Sequence, residues 1–155
     1  MLNEHSAATE LYRDENRQND DVREARQLFD GQNYGEARRI AKRYLERSSG
    51  SSIDDDNVTI EMLRIVVDSL IRQGHRKEAI PYLGRLVELT DDAIGKQRRQ
   101  VLLIYITGDL GKAMSLADEL IASPGIGDPE LLLCAEIAAN NGEYDTALAM
   151  LKDVS

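Results

Sequence analysis

Gly142-Glu143-Tyr144-Asp145-Thr146-Ala147 decides the reading of this chain, because Gly108-Asp109-Leu110-Gly111-Lys112-Ala113 and Gly74-His75-Arg76-Lys77-Glu78-Ala79 superimpose on it at one fixed spacing. The alanines at 79, 113 and 147 stand 34 residues apart, and the glycines at 74, 108 and 142 keep the same interval. A further copy, Gly31-Gln32-Asn33-Tyr34-Gly35-Glu36-Ala37, lies upstream and reads with one extra residue inside the motif. A fixed period of this length marks a helical repeat array, in which each repeat buries its apolar face by stacking on its neighbours.

The residue types in the motif have physical reasons. A Gly five residues before an Ala permits the left-handed backbone that ends one helix and turns into the next. The Ala, early in the second helix, lets the first helix approach closely; a larger residue there forces the pair apart at a cost of about 1–3 kcal/mol. Tyr34, Leu110 and Tyr144 each precede their Ala by three positions and are placed to wedge into the hairpin. Arg76 holds that place in the second copy, where its aliphatic stem is expected to pack.

Outward from the motif the chain reads as helix pairs. Val22, Ala25, Leu28 and Phe29 recur at helical spacing, and Tyr34, Ala37, Ile40, Ala41, Tyr44 and Leu45 repeat the pattern. Ser48-Ser49-Gly50-Ser51-Ser52 is a flexible loop by composition, and it accounts for the 42 residues between Ala37 and Ala79. Asp54-Asp55-Asp56-Asn57 and Asp91-Asp92 are read as the N-terminal ends of the next first helices, where carboxylates cap exposed N–H groups. The acid run is no calcium loop, because its acids are consecutive and no distal Glu follows at the required place. Val101 to Ile106 are apolar nearly all round, as expected of a helix with neighbours on several sides. Asp128-Pro129 is read as an N-cap followed by Pro at the first helical position. The expected organisation is a polar segment over 1–18, disordered or one extra helix, then a repeat domain over 19–155 with repeats at 19–48, 57–90, 92–124 and 128–155.

Composition narrows the function classes. With no Trp and one Phe, the core must be aliphatic. A net charge of −9 argues against a phosphate backbone as the main partner, so no nucleic acid is expected. The charge is uneven: 9 acids against 2 lysines from Asp109 onward, but Arg38, Arg39, Lys42, Arg43 and Arg47 close together upstream. This is either two solvated helix faces or a bipolar surface that steers a charged partner. Cys134 is the only cysteine, which excludes an internal disulfide and fits a reducing compartment; its apolar neighbours make it a small buried hydrophobe. The N-terminus has neither the basic flank nor the apolar run of a signal peptide, and no segment approaches the roughly 20 apolar residues that span a bilayer. A cytoplasmic protein without a membrane span is expected. His5 and His75 fall in a polar tail and an inter-helix turn, with no nucleophile–base arrangement, phosphate loop or metal-ligand pair beside them. The expectation is a chain that is not an enzyme and uses no cofactor and no metal.

The turn Gly, the apolar or aromatic residue two positions on and the Ala three beyond make the chain resemble a tetratricopeptide repeat (TPR) protein. The resemblance covers residues 19–154, is full at Gly142 to Ala147 and nearly so at Gly108 to Ala113. It departs in lacking the Trp-Leu-Gly signature of the family's first helices. It implies an all-α fold, a right-handed α-solenoid of antiparallel helix hairpins, whose first helices line a concave groove. Carried onto this sequence, the groove candidates are Val22, Arg26, Phe29 and Asp30, then Arg64, Asp68 and Ile71, then Arg98, Leu102 and Tyr105, then Leu132, Glu136 and Ala139. The family's clamp for a C-terminal carboxylate is not reproduced: only Arg64, Arg98 or Arg99 fit it, and Asp68 repels a carboxylate.

What the resemblance implies for function is a protein-interaction module that binds a peptide or partner-protein segment in that groove, as adaptor or scaffold. The alternative is a small acidic secretion chaperone that masks an apolar segment of an exported protein. Repeat arrays close with a polar capping helix, and none is legible after the last motif. Leu148, Leu151 and Val154 are therefore expected to form an open edge. A longer protein, a docking edge for another subunit and self-association all account for it. The expectation adopted is a homo-oligomer formed through the C-terminal hairpin, residues 131–154.

Overall fold

Glycine at a left-handed backbone position ends a helix and reverses the chain within three residues, and this device recurs along the molecule. A computed structural model describes residues 2–48 and 56–155. Most of the serine loop and the acids Asp54 and Asp55 lie outside the described residues. Among the described residues there is no strand. The helices are α1 (Leu2–Asp30), α2 (Tyr34–Ser48), α3 (Asp56–Arg72), α4 (Arg76–Leu89), α5 (Ala93–Thr107), α6 (Leu110–Ile121), α7 (Asp128–Asn140) and α8 (Tyr144–Lys152).

The turn residues are Gly74, Gly108 and Gly142, with φ of 80°, 97° and 80°. In the first pair the left-handed residue is Gln32, with φ of 62°, and not Gly31. The hydrogen bonds agree: Gln32 N–H donates to Phe29 O at 3.0 Å and Asn33 N–H to Leu28 O at 2.8 Å. Gly74 and His75 repeat this on Ile71 and Leu70, and Gly142 and Glu143 on Ala139 and Ala138. Counted from the turn residue, Gln32 to Ala37 is the same five-residue step as Gly74 to Ala79. The extra residue read into the first motif therefore vanishes, because Gly31 is still part of the helix end and Gln32 makes the turn. The motif alanines Ala37, Ala79 and Ala113 are fully buried, and Ala147 nearly so.

The chain divides into two compact units, residues 1–82 and 83–155, and the division falls inside α4. Pro81 stands one residue before it and removes one rung of the helix ladder. In the first unit α1, α2 and α3 pack on one another. α1 begins at Leu2, so the polar N-terminal segment and the first helix of the first pair are one 29-residue helix. Val22, Ala25, Ile40, Ala41, Leu45, Met62, Leu63, Ile65, Val66, Val67 and Leu70 are buried, an aliphatic set as the composition requires. α3 is covered almost all round, and its open positions fall on one stripe.

In the second unit α5 packs on α6, and α7 on both, with α8 against α7. Val101, Ala113, Ala117, Leu120, Cys134 and Ile137 form one core cluster, and Ala135, Ala138 and Ala147 a smaller one. Of the apolar run in α5 only Val101 is buried; Leu102 to Ile106 are half-buried, so the all-round burial expected of this helix belongs to α3. Asp92 caps α5, its Oδ2 accepting from Gly95 N–H at 2.6 Å. α7 is capped one residue earlier than read: Gly127 is the N-cap and Asp128 the first helical residue. The reason is Glu130, whose Oε2 reaches back to accept from Gly127 N–H at 2.8 Å. Asp128 instead accepts from the N–H and hydroxyl of Ser155.

Candidate functional site

Within each unit two first helices lie side by side, α1 with α3 and α5 with α7, so residues about one repeat apart in sequence meet across them. In the first unit Arg26 of α1 donates from Nε and Nη2 to the two carboxylate oxygens of Glu61 in α3, at 2.5 and 2.6 Å. That charge-assisted fork holds the Glu61 carboxyl below its ordinary value of 4.5, against the opposing pull of partial burial, and Arg64 nearby adds to the lowering. The same contact raises Arg26. On α3, Arg64 is exposed, Asp68 and Ile71 are half-buried, and with Asn57, Ile60 and Glu61 they make up the helix's one open stripe.

Two of the residues carried over for α1 belong elsewhere. Val22 is 7% exposed and sits in the core, so it offers no surface. Phe29 is half-buried and meets the Tyr34 ring edge-on at 5.5 Å between centroids, while the Arg72 guanidinium lies 5.2 Å from that ring. Tyr34 thus wedges between the first helix of its own pair and that of the next. Asp30 is exposed.

Three arginines of α2, Arg39, Arg43 and Arg47, are engaged with neighbouring side chains. Asp21 of α1 is buried, and its carboxylate accepts from Arg43 at 2.6 Å and from Arg47 at 3.4 Å. Arg39 pairs with Glu36 one turn away, and the Lys42 ammonium lies 5.3 Å from the Tyr82 ring centroid. Around Asp21 the surface dips into a shallow depression lined by Arg17, Asp20, Asp21, Glu24, Arg43 and Arg47, three cations against three acids. Two members of the basic cluster, Arg43 and Arg47, thus clip α2 to α1.

In the second unit Arg98 of α5 donates to Glu130 of α7 at 2.9 Å, and Glu130 is buried while also holding Gly127 N–H. Tyr105 donates its hydroxyl to Glu136 at 3.4 Å and accepts from the Asn140 amide. Leu102 lies one turn from both Arg98 and Tyr105 on α5 and is half-buried; Ala139 is half-buried too. Leu132 is 49% exposed and Glu136 is exposed. The structure therefore brings Arg98, Leu102 and Tyr105 to the α7 side of α5, with Glu136 of α7 in reach.

Glu61, Glu130 and Asn140 are the residues that motif reasoning missed. The signal was available in their separations: 35 from Arg26 to Glu61, 32 from Arg98 to Glu130 and 35 from Tyr105 to Asn140, all near one repeat. A search for opposite charges one period apart finds the first two pairs.

Three further expectations meet the structure. Tyr144 does not wedge into its hairpin but is 67% exposed, because the position it occupies is the one that Tyr34 uses to meet the following first helix. Arg76 is likewise exposed. Leu148 and Leu151 are exposed, whereas Val154 is half-buried. Cys134 is 1% exposed, and burial pushes its thiol up to about 11, so it is held as an unreactive thiol. His75 is about half exposed, with Nδ1 3.6 Å from Glu78.

Among the described residues no group of three or more His, Cys, Asp or Glu is placed to hold a metal ion, and no helix is long and apolar enough to cross a membrane. No protein-family model matches the sequence, and no curated protein matches it. Among solved structures the chain is similar to YrrB, described as a TPR protein with an unusual peptide-binding site. The TM-score is 0.58 at 18% identity, over 83% of this chain and 62% of YrrB, so this chain spans less than two thirds of that protein. The likeness is one of fold: this chain has the all-α, helix-hairpin fold of a TPR protein.

Proposed function

We propose that the chain is a non-catalytic interaction module that holds a peptide or a segment of a partner protein against the open faces of its first helices, as an adaptor or scaffold. The observation that carries this reading is α3. It buries every face except one stripe, and that stripe presents Arg64, Asp68 and Ile71 beside the Arg26–Glu61 pair. A rigid helix with a single mixed polar and apolar face binds extended chain through side-chain contacts at little ordering cost. YrrB has a peptide-binding site on the same fold, which supports the reading. The α5 and α7 face of the second unit, with Arg98, Leu102, Tyr105, Leu132 and Glu136, is the corresponding surface there.

The chaperone alternative asks for an apolar floor, and the α3 face carries Glu61, Arg64 and Asp68 instead. The acidic balance continues to favour a protein over a nucleic acid.

Selection of a random peptide library on the intact chain tests the proposal. Enriched peptides are expected to lose about tenfold in affinity on Arg64→Glu, an exposed change that leaves the helix content intact by circular dichroism. No enrichment above background, or peptides indifferent to Arg64→Glu that map away from α1, α3, α5 and α7, overturns it.

A further inference from the structure

The open stripe of α3 lies in the interior of the chain, with α2 before it and α4 after it, and it stays open with both in place. Its polar residues are Asn57, Glu61, Arg64 and Asp68. Three of these are engaged. Glu61 gives both carboxylate oxygens to Arg26, and Asn57 and Asp68 each have a partner of their own. Arg64 is exposed, and among the described residues its guanidinium makes no hydrogen bond or ion pair. The repeat shows what kind of group answers an arginine at this place. A step of 34 residues takes Arg64 to Arg98, which donates to the Glu130 carboxylate at 2.9 Å. Of the three arginines carried onto the first helices, Arg26 and Arg98 are each held by a carboxylate, and Arg64 is not.

What flanks Arg64 along the stripe is apolar. Ile60 stands one turn before it and Ile71 two turns after it, both half-buried. At 1.5 Å per residue they lie about 6 and about 10 Å from Arg64 along the helix. A carboxylate that ends a chain at Arg64 leaves one of the two isoleucines uncovered. A side-chain carboxylate inside a segment lets about five extended residues, at roughly 3.3 Å each, cover both. Asp68, one turn from Arg64, sets a second limit: it disfavours the double charge of a phosphate more than the single charge of a carboxylate. We propose that the segment held on the α3 face carries an internal Asp or Glu that pairs with Arg64, with an apolar side chain on either side of it for Ile60 and Ile71. This rests on the interaction reading above and adds the chemistry by which the segment is chosen.

Synthetic peptide pools captured on the whole chain test it. The pools are acetylated and amidated at their ends, carry mixed apolar and uncharged polar residues at the flanking positions, and differ only in a central Glu, Gln or Lys. A further pool has Gln at the centre and an unblocked C-terminal carboxylate. At low salt the Glu pool is expected to be captured about fivefold better than the Gln pool, and salt is expected to narrow the difference. Arg64→Gln is expected to abolish that preference, and Arg64→Glu to transfer it to the Lys pool, with helix content unchanged by circular dichroism in both variants. Equal capture of all pools that Ile71→Thr weakens overturns this inference and leaves the interaction reading standing. Preference for the pool with the unblocked carboxylate does the same, as does a Glu preference that survives Arg64→Gln. Capture of no pool overturns both.

Discussion

The guanidinium of Arg26 grips both carboxylate oxygens of Glu61 from 35 positions away, at 2.5 and 2.6 Å, and so ties the first helix of one pair to the first helix of the next. The pair sits at the surface, with Glu61 the better covered of the two. Its fork geometry places it at the upper end of surface ion pairs, about 1 kcal/mol. A double-mutant cycle on Arg26→Ala and Glu61→Gln is expected to return a coupling of that size in urea unfolding.

The same pair sets a pH dependence. Glu61 titrates below its ordinary 4.5 in the fold because Arg26 hydrogen-bonds its charged form. The unfolded chain therefore takes up this proton first as the pH falls. The contribution is complete above the ordinary carboxylate value and is lost as the pH drops through the lowered one. Acid unfolding of the wild type is expected to steepen below that ordinary value relative to Glu61→Gln. Parallel acid limbs for the two proteins count against the assignment.

Gln32 carries a left-handed backbone at a position where the other pairs use Gly74, Gly108 and Gly142. A side chain there costs about 1 kcal/mol in steric strain. Gln32→Gly is expected to raise the urea midpoint accordingly, and Gly74→Ala to lower stability by a similar amount. Gly74 has open space around a would-be Cβ, so any loss on that substitution reports the backbone alone.

Gly84 is the opposite case. It lies inside α4 with an ordinary helical backbone, and a Cβ built on it meets nothing within 4 Å. Gly84→Ala removes backbone freedom from the unfolded chain and is expected to stabilise by about 0.5–1 kcal/mol. A neutral or destabilising result in thermal melts would show that the helix uses the flexibility of Gly84.

Cys134 is buried, and desolvation pushes its thiol to about 11. At neutral pH a disulfide reagent such as DTNB is expected to leave the native chain unmodified and to react at once in denaturant. Fast labelling of the native protein would mean that α7 opens readily.

The period was enough to read the pairing of helices, the buried alanines and the glycine turns. Each of these depends on residues within one hairpin, and local steric and conformational preferences act there without help from the rest of the chain. The first motif reads one position early because Gly31 is a natural turn residue, and only the backbone geometry places Gln32 in the left-handed conformation. The α7 cap slipped by one for a similar reason: Glu130 outcompetes Asp128 for the helix start while also meeting Arg98.

The candidate surface was legible only in outline. Arg64, Asp68 and Ile71 fall on the open stripe of α3 because helical spacing alone puts them on one face. Val22 could not be told from a surface residue, since its burial depends on the helices that pack against α1. Residue order shows the basic cluster of α2 but not that Asp21 lies beneath Arg43 and Arg47, because those residues are on different helices.

The sequence by itself determined that this chain is a set of helix pairs at a 34-residue step, since periodic burial and turn chemistry are written into residue order. Only the tertiary structure decided which charges meet across neighbouring helices and which faces stay open. Arg26 finds Glu61, Arg98 finds Glu130, and Tyr144, Leu148 and Leu151 remain exposed on α8. Side chains on different helices meet only when those helices pack. Exposure likewise depends on what covers a face, and residue order alone does not carry that.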